Sequence, residues 1–217
     1  IMKKKLLAIV TTAFVAALAF ALVGCGGNSD SGEGGSSSSE LRFVTGGESG
    51  TYYAYGTVLA QYSTNNAGVS VNALSSEGSK ANIEALQNNE AELAFCQSDV
   101  TTYAYEGTSL FEGAPYQDFS VVASLYGEQV QIVTCDPNIK TVADLKGKTV
   151  SIGAANSGVY FNAVDILGAY DMTEEDINAV YQNFADSADS LKNDKIDAAF
   201  ITAGAPTTAI SDLTTSK

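Results

Sequence analysis

From Leu41 onward the chain alternates short apolar runs with longer stretches whose apolar residues recur at helical spacing. Leu41–Val44 is an apolar run of strand length. Tyr55, Leu59 and Tyr62 then recur at i, i+4 and i+7, which predicts a helix with these three on its buried stripe. Asn65, Asn66 and Gly68 close it. Val69–Leu74 alternates with period two, the pattern of a half-buried strand. Ser79–Asn89 predicts a helix carrying Ile83 and Leu86, and Leu93–Gln97 a short buried strand. A helix capped by Ser98 or Asp99 runs to Tyr105. Strand, helix, strand, helix, strand is the order of a parallel sheet with helices on its faces.

Phe119–Tyr126 and Val130–Cys135 read as two further strands, and Asp136-Pro137-Asn138 breaks the pattern. The unit then restarts. Thr149–Ile152 is a strand, Asn156-Ser157-Gly158 a turn and cap, and a helix follows with Ala163, Ile166, Leu167 and Tyr170 inward. Val180–Gln182 is a strand candidate, and Phe184, Ala188 and Leu191 stripe another helix. Ala198–Thr202 is a strand, with Pro206 where the next helix would begin. An α/β chain of two domains is therefore expected, 41–136 and 137–217.

An internal echo supports two related halves. Ala85–Gln97 reads ALQNNEAELAFCQ, and Ser190–Thr202, 105 positions later, reads SLKNDKIDAAFIT. Leu86 matches Leu191, Asn88 matches Asn193, Glu92 corresponds to Asp197, and Ala94-Phe95 match Ala199-Phe200. Each is a helix, a turn and a buried strand that ends on a polar residue. Ordinary αβ vocabulary gives such matches too, so the echo is a prompt to compare the two halves.

The N-terminus changes the picture from a free to a tethered protein. Lys3–Lys5 precede the apolar Leu6–Leu22, and Leu22-Val23-Gly24-Cys25 resembles the lipobox of bacterial lipoproteins. Residues 1–24 are expected to be a signal peptide, with Cys25 the first mature residue and lipidated. That would hold the protein to the outer face of a membrane. Ser and Gly dominate 25–40, as in a flexible tether. The formal net charge is −14, and loss of Lys3, Lys4 and Lys5 with the leader takes it to −17. Such a surface repels nucleic acid and anionic head groups.

Chemistry is mostly excluded. The chain has no His, which removes Ser-His-Asp triads, Cys-His pairs and the common zinc sites. Cys96 and Cys135 lack a CxxC partner and sit in apolar runs, where two buried free thiols are expected, although export permits a disulfide. No cofactor motif or metal cluster stands out, and no enzymatic activity is expected. The notable feature is Thr45–Tyr53, TGGESGTYY, between a strand and a helix. Gly46, Gly47 and Gly50 suit backbone angles closed to other residues, and the helix start directs N–H groups at whatever lies above the turn.

In α/β sheets ligands sit beyond the carboxyl ends of strands, beside helix starts. Four segments meet that rule. Ser49, Gly50, Thr51 and Tyr52 lie in the first, Gln97 and Ser98 in the second. Asn156, Ser157, Gly158 and Val159 form the third, Thr202 and Gly204 the fourth. Tyr126 ends a strand candidate and would wall the pocket. Each position alone is also an ordinary helix cap. The single arginine, Arg42, lies in the first strand, so helix starts, hydroxyls and amides would have to hold an anionic ligand.

TGGESGTYYAYG, SEGSKANIEALQNNEAELAFCQSDV, ASLYGEQ, DLKGKTVSIGAANSGV and ITAGAPT occur in one order. Together they resemble the TAXI family, the extracytoplasmic solute-binding proteins of tripartite ATP-independent periplasmic (TRAP) transporters. The resemblance implies a type II periplasmic-binding-protein fold with the ligand cleft at the four segments above. It implies a small organic acid or acidic amino acid such as glutamate as ligand, and a membrane permease as partner. It also implies a longer chain, with the rest of the second domain beyond Lys217, and closure about hinge strands near Tyr126–Pro137. An ABC-transporter binding protein on the same fold, or an exported enzyme or sensor, remain the alternatives.

Overall fold

The computed structural model describes residues 40–216. The leader, Cys25 and most of the tether lie outside them. Seven strands form two sheets. The first holds β1 (Leu41–Val44), β2 (Val71–Leu74) and β3 (Leu93–Ala94) in the order β2-β1-β3, all parallel. The second holds β4 (Gln129–Thr134), β5 (Thr149–Ser151), β6 (Asn178–Val180) and β7 (Ala198–Ala203) in the order β4-β7-β5-β6. Its strands are parallel except β4, which runs antiparallel to β7. This is the α/β fold of type II periplasmic binding proteins.

Among the described residues six α-helices connect and cover the strands. They are α1 (Thr51–Tyr62), α2 (Ser79–Gln87), α3 (Ser98–Glu106), α4 (Gly158–Ala169), α5 (Phe184–Lys192) and α6 (Thr208–Ser216). In the first lobe β1 leads to α1, β2 to α2 and β3 to α3. In the second, β5 leads to α4, β6 to α5 and β7 to α6. The two lobes therefore repeat one arrangement.

The sequence echo is the junction from second helix to third strand in each lobe, and its hydrogen bonds repeat position by position. After α2, Asn88, Asn89 and Glu90 donate their N–H groups to Glu84, Leu86 and Ala85 carbonyls. After α5, Asn193, Asp194 and Lys195 donate to Asp189, Leu191 and Ser190. Asn89 and Asp194 both take left-handed backbone angles, φ 56° and 53°, which short polar side chains tolerate. Glu92 and Asp197 then accept from the backbone N–H of the neighbouring strand, Arg42 N and Thr149 N, each at 2.7 Å.

Three expectations are corrected. Val130–Cys135 was expected in the first domain, but β4 pairs along its full length with β7. The passage between lobes thus precedes Gln129, and 136/137 falls inside the second lobe. Apolar alternation marks a strand without saying which sheet receives it. Phe119–Tyr126 forms no strand and leaves Val121 and Val122 exposed. The buried face of α1 is Gly56 and Ala60, while Tyr62 faces outward and Tyr55, though exposed, lays its ring against Phe95 and Tyr126. Small residues are needed there because a Cβ on Gly56 would lie 2.5 Å from Thr45 Cγ2.

The main core lies in the second lobe, around Leu145, Val150, Ile152, Ala163, Leu167 and Phe200. A smaller one combines Ile83, Val100, Ala104 and Phe111 of the first lobe with Phe161 of α4. Phe161 is 1% exposed and stacks on Tyr103 and Phe111 at 5.7 and 6.0 Å between ring centres. The second lobe thus inserts an aromatic side chain into the core of the first.

Candidate functional site

The carboxyl ends of both sheets face one cavity of about 480 Å³, within the usual range for small-molecule sites. It is lined by the starts of α1, α2, α4 and α5 and by the exit of β7. Gly50 and Gly78, the N-cap residues of α1 and α2, have no side chain to accept from the first-turn N–H groups. Except for Ala81 N, which donates to Asn156 O, those groups stay available to a ligand at the positive ends of the two helices. At α4 the Ser157 hydroxyl accepts from Tyr160 N, and at α5 the Asn183 side chain accepts from Asp186 N.

Of the residues expected in a cleft, Ser49, Gly50, Thr51, Tyr52, Gln97, Ser157, Gly158, Val159 and Thr202 line this cavity. Four do not. Ser98 is exposed on the first turn of α3, and its carbonyl accepts from Thr102 Oγ1. Tyr126 packs behind the wall, 6.5 Å from Tyr52 and 5.8 Å from Tyr55 between ring centres. Gly204 accepts from Thr51 Oγ1 at 3.3 Å through its carbonyl. Asn156 joins the lobes: its carbonyl accepts from Ala81 N at 3.0 Å and its Nδ2 donates to Glu77 at 2.8 Å.

Two lining side chains, Gln97 of the first lobe and Thr202 of the second, are joined through Asn162 behind the cavity. Gln97 Nε2 donates to Asn162 Oδ1 at 2.8 Å, and Thr202 Oγ1 donates to the same oxygen at 3.0 Å. Asn162 Nδ2 donates to Asp99 at 2.7 Å. Asn162 of α4 is therefore the hub of the interlobe network, and sequence reasoning gave it no role. The Ser157 hydroxyl donates to Ala154 O at 2.7 Å while capping α4, so its hydrogen-bonding capacity is largely used within its own turn.

The glycines act differently from expectation. Gly46, Gly47 and Gly50 are not among the positive-φ residues. Gly50 matters for space, because a Cβ there would stand 3.2 Å from Gly47 O, tighter than most such contacts, and touch the Phe184 ring of the second lobe. Gly78 does take φ +119°. Behind the turns, the buried Asn82 donates to Thr45 O at 2.6 Å and Phe95 O at 2.8 Å, holding together the ends of β1 and β3.

Sequence reasoning also passed over the Ser75–Ser79 turn, Glu128 and the segment Tyr181–Phe184, which all line the cavity. The first is a small polar turn at a strand's carboxyl end, the signal that identified the other segments. Glu128 is partly buried and accepts from the Tyr52 hydroxyl at 2.8 Å. Burial, aided by the nearby Asp99 charge, raises its carboxyl to about 7. Burial also pushes the Tyr52 hydroxyl far above its ordinary range, so it stays a neutral donor.

Arg42 lies away from the cavity, in a forked contact with Glu92 and a 2.8 Å bond to Asn89 O. Cys96 and Cys135 are both free thiols. Cys135 is exposed rather than buried, and burial raises the Cys96 thiol to about 11. Among the described residues no group of side chains is arranged to hold a metal ion, and no helix is long and apolar enough to cross a membrane.

These features define a class: two similar α/β lobes about a small cavity, the periplasmic-binding-protein type II fold. The chain belongs to the NMT1-like family, which matches residues 43–217. It is similar in fold to a protein of Bordetella bronchiseptica RB50, with 19% identity over 82% of this chain and 54% of that one, TM-score 0.61. An ancestral arginine-binding protein bound to glutamine gives TM-score 0.56, at 16% identity over 81% of this chain and 73% of that one. The binding-protein component of an ABC phosphonate transporter from Pseudomonas aeruginosa gives 0.54, at 12% identity over 82% and 60%. The chain spans about half the length of the Bordetella protein.

Proposed function

We propose that the protein is an extracytoplasmic solute-binding protein that holds one small polar solute between its lobes and presents it to a membrane permease. The observation that carries this reading is the 480 Å³ cavity lined from both lobes by helix starts, two of them without a side-chain cap. A solute there touches both lobes at once, so binding favours their closed arrangement. A carboxylate end suits the α1 and α2 starts, where N–H groups and helix dipoles replace an arginine. The solute is a small organic acid or amino acid.

Calorimetric titration with a panel of such solutes tests the reading. Saturable one-to-one binding is expected, and binding by none of them contradicts it. The sequence motifs favour a TRAP-type permease, and lipidation at Cys25 would keep the protein beside it. The likeness to binding components of ABC transporters supports a second reading of the partner. Co-purification of the lipidated protein with its permease separates the two, since a bound ATPase is expected only in the second case.

A further inference from the structure

Among the described residues four carboxylates line the cavity, Glu48, Glu77, Glu128 and Asp186, and no lysine or arginine does. Glu48, Glu77 and Asp186 are exposed. Glu77 accepts from Asn156 Nδ2 and Asp186 from Asn183 Nδ2, both at 2.8 Å. Lys80, on the first turn of α2, is not among the lining residues: it pairs with Glu84, donates to Asn156 Oδ1 at 3.4 Å and lies 5.9 Å from the centre of the Phe111 ring. Glu128 differs from the other three. It is partly buried between the lobes, and Tyr52 is its hydrogen-bond partner among the described residues. A carboxylate out of water with no counter-charge is costly, and the cost falls when a cation arrives.

We propose that Glu128 receives the protonated nitrogen of a zwitterionic solute, an amino acid or a close chemical relative, and that this contact selects such solutes over carboxylic acids without the amine. The inference rests on the solute-binding reading above. A plain dicarboxylate would bring two negative charges among four carboxylates with no lysine or arginine in the lining to offset them. An amino acid brings its own cation. Its ammonium supplies the donors that Glu128 lacks, while its carboxylate lies at the uncapped helix starts. The raised carboxyl of Glu128, about 7 in the empty site, agrees with an acceptor whose partner is a ligand.

The test titrates the full chain at pH 8 with matched pairs: alanine and propionate, leucine and 4-methylpentanoate, glutamate and glutarate. The amino acid of at least one pair is expected to bind, and its amine-free counterpart to bind about ten- to a hundredfold more weakly, the effect of losing one hydrogen bond to a charged group. Glu128→Gln should erase that preference, and Glu128→Asp should retain part of it, both with a cooperative melt. Equal or tighter binding of the amine-free acids overturns the proposal and leaves the solute-binding reading standing. Survival of the preference in a folded Glu128→Gln protein also overturns it. Binding of neither member of any pair, nor of any other small polar solute, overturns the solute-binding reading itself.

Discussion

Gly158 of the second lobe lies so close to Gln97 of the first that a Cβ on it would stand 1.9 Å from Gln97 Oε1. A side chain there would have to displace the end of Gln97, so the glycine serves the contact between lobes. Gly158→Ala should push the lobes apart or displace Gln97 from Asn162, at a cost typical of overpacking, about 1–3 kcal/mol. The double variant Gly158→Ala, Gln97→Ala should recover much of that loss. A double-mutant cycle in urea checks this, and additive losses would show that the two residues act independently.

Phe161 joins the lobes by packing rather than polarity. Phe161→Ala should cost about 3–5 kcal/mol, as for an aromatic removed from a filled core. It should also loosen the first lobe, because the Tyr103 and Phe111 rings lose the side chain between them. Hydrogen exchange of α3 measures that loosening. Unchanged protection there would mean the first lobe's core stands without the inserted ring.

Asn162 connects Gln97, Asp99 and Thr202 through one amide. Asn162→Leu keeps similar bulk and takes one hydrogen bond from each of three polar partners. The expected loss is about 1–3 kcal/mol for each partner that water cannot reach, seen as a lower urea midpoint with solute absent. A variant as stable as the parent would show that solvent already satisfies these groups.

Much of the fold was legible because its signals are local. The Leu41–Val44 strand, the α2 and α5 stripes and the echo between Glu92 and Asp197 follow from residue spacing alone. The placement of β4 was not legible, since an apolar run does not name its partner strand. Phe119–Tyr126 misled for a related reason: its apolar pattern fits a strand, but no neighbour pairs with it among the described residues. The site was half legible. Helix starts at strand ends pointed to Thr51, Gln97 and Ser157, whereas Glu128 was hidden among many carboxylates. Only tertiary burial separates it from those on solvated faces.

Glu128 also gives the empty protein a pH signature. The groups facing it are the Tyr52 hydroxyl from α1, the Asp99 carboxylate from α3, the Cys96 thiol after β3 and the neighbouring Tyr126 hydroxyl. Its carboxyl is raised from an ordinary 4.5 to about 7 in the folded protein. The folded state therefore holds the proton more tightly than the unfolded one. Stability from this group is present below about 4.5 and is lost as pH rises through about 7. Melts of wild type and Glu128→Gln between pH 4.5 and 8 should diverge in that sense, with the variant flatter. Glu92, pushed down to about 2 by Arg42, contributes in the opposite sense at lower pH. Parallel curves for the two proteins would mean that Glu128 stays ionised throughout.

Arg42 is bound to Glu92 and Asn89 O at the far side of β1 from the helix starts. Arg42→Ala should leave solute affinity unchanged while the melt stays cooperative, a comparison made by calorimetry. Loss of binding in the folded variant would move the anion site away from the helix starts.

The cavity between the lobes is the centre of the account, and native mass spectrometry of the freshly purified protein tests it most directly. Spectra under native and denaturing conditions should differ by the mass of one small solute per chain. That difference should vanish in Gly50→Trp, where an indole would collide with Phe184 and fill the cavity. Retention of the same solute by a folded Gly50→Trp protein would contradict the account, because the solute would then be bound elsewhere.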